Sequence, residues 1–298
     1  MPTYDLLSRF YDLENADFTE DIDFWVGLAK EANGPTLELG CGSGRVTQQI
    51  ARAGCTVVGL DNSEPMLALA RAKLARKPEL SARATLLLGD MTNFDLYGQT
   101  GVSAPHGADT QVGYDNRDGL STIDLVSVSH RADTQVGPYV SPPFGLIICP
   151  FNTFMHLLAA AEQLALLACA RRHLAPGGVL ALDLTNPAPA YADPDESLTL
   201  ERTFRDDGAD LTVQQFSTIQ LDRTAQVAHI VWQYDAIAAD GAVRRTLAPL
   251  ELRYTFPAEM SLLLDRAGFR LTHLYGDYDE GPLTDESERM IVMAEAKK

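Results

Sequence analysis

The chain has 298 residues, 46% apolar and 22% charged, the balance of an ordinary globular protein with one large core or two modest ones. Asp and Glu number 41 against 24 Lys and Arg, a formal charge of −17. That charge opposes nucleic-acid partners, whose affinity comes largely from basic side chains neutralising phosphates. Apolar runs such as FGLIIC at 144–149 fall far below the roughly 18 residues of a membrane-spanning helix, so no membrane partner is expected.

The opening MPTYDLLSRFYD has no basic segment followed by an apolar core, and the chain reads as cytoplasmic. Residues 36–39 (TLEL) predict a strand that runs into GCGSGR and then a helix over 46–53. TVVGL at 56–60 predicts a second strand ending at Asp61, and Ser63 can cap a helix from 64 to about 77. Strand patterns return at 84–88, 144–149 and 178–184, with a long helix over 160–174 between the last two. Strands alternating with helices predict a parallel sheet covered on both faces. Cys41, Cys55, Cys149 and Cys169 lack the paired spacing of a zinc site or disulfide framework and read as small buried hydrophobes, so no metal is expected.

After Pro187 the pattern changes to runs of about ten residues separated by Asp207-Gly208, Asp222-Arg223-Thr224 and Asp240-Gly241, which predicts hairpins. Leu250, Leu252, Tyr254 and Phe256 alternate with Glu251, Arg253 and Thr255 as in a half-buried strand, and Ile230, Trp232 and Tyr234 share a face. A helix from Pro257 to about Ala267 and strands over 270–275 and 290–296 close the chain.

LELGCGSGR carries Gly40, Gly42 and Gly44 in a G-x-G-x-G pattern, with Glu38 two residues ahead. A nicotinamide-binding turn has G-x-G-x-x-G and offers its helix N-terminus to a pyrophosphate. An acid beside the turn suits a ligand that carries an ammonium and a sulfonium instead. Asp61 ends the second strand, where a carboxylate can accept from both ribose hydroxyls. With Asp90-Met91 closing the third strand, these residues resemble class I S-adenosylmethionine-dependent methyltransferases. The resemblance is to the small-molecule N-methyltransferases of glycine or sarcosine and of aminosugars. It implies a Rossmann-like α/β fold: a seven-stranded, mostly parallel sheet with helices on both faces, and an antiparallel β lobe inserted after the fifth strand. The implied core is 1–97, 143–186 and 257–298, with an acceptor-binding lobe at 187–256.

The resemblance further implies a cofactor site of Tyr11, Glu38, Gly40, Cys41, Gly42, Gly44, Arg45, Asp61, Asn62, Met66, Asp90, Met91 and Pro150. In it Asp90-Met91 would hold the adenine edge and Arg45 the methionine carboxylate. Tyr4-Asp5 and Tyr11-Asp12 resemble the N-terminal segment in which an aromatic lid closes over cofactor and acceptor, a plain amphipathic helix being the alternative.

Methyl transfer from a sulfonium needs alignment and exclusion of water more than a nucleophilic triad. CPFNTFMH at 149–156 follows the fourth strand, where reactive groups of open α/β sheets collect. Asn152 is a candidate to orient an amine and His156 a candidate base, or a hydrogen-bonded structural histidine. Tyr4, Phe154, Arg253, Asp277 and Tyr278 are candidate contacts for a small-molecule acceptor. An amine nitrogen is the first choice, and O-methylation or cofactor binding without transfer are the alternatives.

Ser141-Pro142-Pro143-Phe144 resembles the S/N/D-P-P-Y/F motif of DNA amino-methyltransferases. It precedes the fourth strand, the wrong edge of the sheet for meeting an extruded base. Between the third and fourth strands, residues 98–142 have no counterpart in the pattern and hold ADTQVG twice, at 108–113 and 132–137. They are expected to form a mobile insertion with no part in catalysis.

Overall fold

The structure, a computed structural model, describes residues 2–96, 143–191 and 197–298. The chain divides into two units, Met1–Asp95 with Pro142–Lys298, and Leu96–Ser141. The insertion expected over 98–142, with its duplicated ADTQVG, lies outside the described residues.

Helices α1 (Pro2–Glu14) and α2 (Ile22–Glu31) precede β1 (Thr36–Leu39). Then come α3 (Arg45–Arg52), β2 (Val57–Asp61), α4 (Glu64–Ala75), the one-turn α5 (Pro78–Ser81) and β3 (Ala84–Leu88). After β4 (Phe144–Cys149), a 3-10 turn at Thr153–His156 leads to α6 (Ala160–His173), β5 (Leu174–Thr185) and the short α7 (Pro187–Ala190). Local chemistry sets several of these boundaries. Ser63 is extended, accepts from the Met66 N–H and is followed by Pro65 in the first turn of α4, a start signal for a helix. That helix ends at Ala75, two residues before the expected stop, because Pro78 begins a turn of its own.

The seven strands of the main sheet, completed by β10 (Phe269–Tyr275) and β11 (Arg289–Ala296), lie in the order β10-β11-β5-β4-β1-β2-β3. Strands β3, β2, β1, β4 and β5 are parallel, and β11 runs antiparallel to both β5 and β10. Every residue of β1 and β4 is buried, as strands covered on both faces must be. Trp25, Val46, Ile50, Val57, Leu146 and Ile291 join α2 and α3 to one face of the sheet. From β1 the chain crosses to β2 and β3 on one side, then returns to β4 on the other. The order therefore reverses between β1 and β4, which is where open α/β sheets leave a crevice beyond the strand ends.

A separate four-stranded antiparallel sheet consists of β6 (Thr199–Asp206), β7 (Leu211–Asp222), β8 (Val227–Ile237) and β9 (Val243–Arg253), in that order. Its turns fall at the three Asp-led sites read in the sequence. Cross-strand pairing puts Val213 opposite Ala236, Gln215 opposite Tyr234 and Trp232 opposite Ala248. Leu7 and Phe10 of α1 complete a cluster with Val213, Tyr234, Ala236 and Ala248, and Phe10 stacks on Tyr234 at 4.9 Å. Phe256, expected on the buried face, is 44% exposed because β9 ends at Arg253 and the chain turns into α8 (Pro257–Arg266). Among the described residues, no helix is long and apolar enough to cross a membrane.

Candidate active site

The glycine turn after β1 is built from left-handed backbone. Gly40 has φ +69° and Gly42 φ +54°, conformations glycine reaches without penalty. A Cβ at Gly40 would collide with Thr153 Cγ2, and one at Gly42 would stand 3.2 Å from Met66 Cε. The turn thus approaches the β4 loop on one side and α4 on the other. Gly42 N–H donates to Asp61 Oδ2 at 2.7 Å, and Ser63 N–H to Asp61 Oδ1 at 2.8 Å. Burial raises the Asp61 carboxyl above its ordinary pKa, while these backbone bonds pull it back. Glu38, 3% exposed, accepts from the Thr47 hydroxyl, and burial pushes its carboxyl up to about 8.

A cavity of about 220 Å³ opens at the carboxyl ends of β1 to β4. Gly40 and Gly42 contribute from the first loop, Asp61 and Asn62 from the second, Asp90, Met91 and Thr92 from the third, and Phe151, Thr153 and His156 from the fourth. Met66 of α4, Glu162 of α6 and Tyr4 and Tyr11 of α1 also line it.

Helix α1 is anchored at two places. Asp12 Oδ1 accepts from Ser43 Oγ at 2.6 Å and from Lys73 Nζ at 2.5 Å, which ties the helix to the glycine turn and to α4. Glu14 Oε2 accepts from Tyr234 Oη at 2.6 Å and Gln215 Nε2 at 3.1 Å, which ties it to the antiparallel sheet. Between these anchors and the helix start, Tyr4 Oη lies 2.9 Å from His156 Nε2, ring against ring edge-on at 5.3 Å. Burial pushes the His156 imidazole down to about 4, so it is neutral near pH 7. Its Nδ1 is buried with no hydrogen-bond partner among the described residues.

The donor set favours a cationic ligand over a pyrophosphate. Asp61, Asp90 and Glu162 line the cavity, and no Lys or Arg does among the described residues. The glycine cradle brings backbone to the cavity, since Gly40 and Gly42 both line it. Adenosylmethionine, with its sulfonium, ammonium and ribose diol, fits these groups.

Comparison with known proteins gives the same answer. A family model described as a methyltransferase domain matches residues 36–102. The chain is 26% identical over 274 residues to the cypemycin N-terminal methyltransferase of a Streptomyces species, covering 91% of this chain and 87% of that protein. The CcbJ methyltransferase from Streptomyces caelestis shares the fold with a TM-score of 0.67 at 24% identity, over 93% of this chain and 95% of that one. So does adenosylmethionine-bound CalS10, an amino pentose methyltransferase from Micromonospora echinaspora, with a TM-score of 0.59 at 22% identity over 94% and 89%. The chain is an S-adenosylmethionine-dependent methyltransferase.

In this methyltransferase, several residues singled out by sequence stand away from the cavity. Arg45 does not reach it: Nη1 and Nη2 donate to Asp21 Oδ1 and Oδ2 at 2.6 and 2.7 Å, and the guanidinium lies over the Phe18 and Phe151 rings. Asn152 turns its amide oxygen to Thr185 N at 2.7 Å and Arg289 Nη2 at 3.0 Å. Arg253 donates to Glu259 at 2.7 Å, Asp277 accepts from the Gly281 N–H in an exposed turn, and Tyr278 donates to Asp183 at 3.0 Å. Phe154 and Cys41 are buried in the core, the Pro150 carbonyl accepts from Thr153, and Gly44 packs on Ala70. Arg45, Asn152 and Tyr278 meet partners from distant segments, whereas Arg253, Asp277 and the Pro150 carbonyl are taken up by residues three to six positions away.

Thr92, Phe151, Thr153, Leu157 and Glu162 line the cavity without having been read as site residues. Thr92, Phe151 and Thr153 sit within four positions of a strand end, which was the available signal. Glu162 reads in sequence as a helix-start carboxylate, and its Oε2 does accept from the Ala159 N–H at 2.9 Å.

Proposed function

We propose that the cavity holds adenosylmethionine with its ribose on Asp61 and its adenine edge beside Asp90 and Met91, and that the methyl group passes to an amine nitrogen of a small molecule. When bound, the cofactor supplies a methyl group already activated on a sulfonium, so displacement needs in-line alignment and a dry site. The remaining work belongs to this chain's own residues. Asp61 is held in place by the Gly42 and Ser63 N–H groups before any ligand arrives. Tyr4 and Tyr11, pinned through Asp12 and Glu14, cover the cavity against water. The antiparallel sheet carries α1 and is the acceptor-binding lobe in this reading.

The observation that carries the amine reading is the Tyr4–His156 pair. An imidazole held down to about 4 is too weak a base to keep a proton taken from an alkylammonium. It can polarise the Tyr4 hydroxyl, whose oxygen accepts an N–H and so turns the lone pair of a neutral amine toward the methyl group. Desolvation in the cavity favours that neutral form. His156 acts as an orienting group in this account, and the acceptor sheds its proton before it enters. The relatives named as an N-terminal methyltransferase and an amino pentose methyltransferase support a nitrogen acceptor.

The test is adenosylhomocysteine release across amines, including aminosugars and peptide N-termini, and matched hydroxyl compounds. Release with amines alone is expected. Release with hydroxyl compounds alone, or cofactor binding with no release on any acceptor, would overturn the reading.

A further inference from the structure

The loop after β4 holds two consecutive non-glycine residues in left-handed backbone, Phe151 at φ +53° and Asn152 at φ +64°. Positive φ is unusual for any side chain and a true outlier for a bulky one. Such a conformation persists only where surrounding structure enforces it, and it concentrates at functional sites. Here the enforcement comes from residues far away in sequence. Phe151 N–H donates to Asp183 Oδ2 at 2.8 Å, and Asn152 N–H to the Asp183 carbonyl at 3.0 Å. Asp183 is fully buried and is itself held by Arg289 Nε at 2.8 Å, Arg289 Nη2, and Tyr278 Oη at 3.0 Å. Arg289 also reaches the Asn152 amide oxygen at 3.0 Å, beside the Thr185 N–H.

The loop carries this constraint into the cavity. The 3-10 turn starts on Asn152, whose carbonyl accepts from the Met155 N–H at 2.9 Å. That turn carries Thr153 against Gly40 and His156 against Tyr4. Phe151 itself lines the cavity, its ring 5.1 Å from Phe18 and 5.4 Å from the Arg45 guanidinium. Asp183 and Arg289 line none of it.

We propose that Asp183 and Arg289 are positioning residues for this cavity, holding Phe151 and Asn152 in the left-handed turn that sets the wall formed by Phe151, Thr153 and His156. The proposal rests on the reading of the cavity as the adenosylmethionine site. The Asp183–Arg289 pair then transmits the placement of β5 and β11 to the cofactor without touching it.

The test uses the full chain and two readouts that global destabilisation does not move. Asp183→Asn keeps the size of the side chain and removes its charge. In protein with a native far-UV CD spectrum, it should bind adenosylhomocysteine at least tenfold more weakly by calorimetry. The NMR titration midpoint of the His156 ring should also rise from about 4 toward the ordinary imidazole value of about 6.5, as the loop loosens. Arg289→Lys, which keeps the charge and loses the fork, should fall between the two. If Asp183→Asn does not fold, Tyr278→Phe removes one donor to the same carboxylate and should weaken binding two- to threefold and raise the His156 midpoint above that of the wild type.

A lowered melting temperature with unchanged affinity and an unchanged His156 midpoint would overturn the proposal and leave the pair a purely structural role. Failure of the wild-type chain to bind adenosylhomocysteine would refute the cofactor assignment, while the His156 midpoint in Asp183→Asn would still decide whether the pair positions the loop.

Discussion

Replacing Gly40 by Ala separates two costs that the structure places at one atom. The backbone there is at φ +69°, and an alanine in left-handed conformation costs about 1–2 kcal/mol. The added Cβ would also collide with Thr153 Cγ2 and lie 2.9 Å from its Oγ1, and overpacking of this kind costs typically about 1–3 kcal/mol. Gly40→Ala should therefore lose about 2–5 kcal/mol, a large share of the roughly 5–15 kcal/mol of a whole domain. Thr153→Ser removes the colliding methyl and keeps the hydroxyl that donates to the Pro150 carbonyl at 2.8 Å. In the double variant the clash term should shrink while the left-handed term stays, a coupling of about 1–2 kcal/mol in favour of the pair. Urea unfolding of the four proteins, followed by far-UV CD, measures it. A double variant no more stable than the sum of the single losses would show that the close approach of the glycine turn to the β4 loop is not what makes position 40 a glycine.

Asp61→Ala should weaken adenosylhomocysteine binding by about 100-fold or more, since two hydrogen bonds to a charged group are worth about 1.5–3 kcal/mol each; a change under threefold by calorimetry would remove Asp61 from the ribose site. Glu38 has a folded pKa of about 8 against an ordinary 4.5, so its contribution to stability is present below pH 4.5 and is lost as pH rises through 8. At about 1.4 kcal/mol per unit, the Glu38→Gln variant should gain several kcal/mol on the wild type between pH 5 and pH 9 in urea melts, and parallel pH profiles would contradict the buried-acid account. If His156 only orients a neutral amine, the acidic limb of kcat/KM should track the pKa of the acceptor when two amines of different basicity are compared. A limb fixed at the same pH for both amines would instead make His156 a proton-accepting base.

Much of the core was legible because local pattern and global fold agree there. The strand runs TLEL, VVGL and FGLIIC, the Ser63 cap and the Asp-led turns each carry their signal within a few residues. Asp61, Asp90 and Met91 could be placed because a strand end fixes where its last side chain goes. Arg45 shows where such reasoning stops. As a helix-start cation it invites an anionic ligand, yet Asp21, 24 residues earlier, takes both of its amino groups. Asn152 and Tyr278 have similarly distant partners, 33 and 95 residues along the chain, and periodicity carries no trace of either.

The sequence by itself determined the sheet, the glycine cradle and the kind of ligand that cradle admits, because each follows from short-range chemistry: left-handed glycines, an acid at a strand end, alternation of apolar residues. Only the tertiary structure decided which polar side chains stay free to meet a ligand. Tyr4 meets His156 across 152 positions, and Glu14 meets Tyr234 across 220. A buried polar group takes whatever partner the fold brings within about 3 Å, and that choice is made when the elements pack.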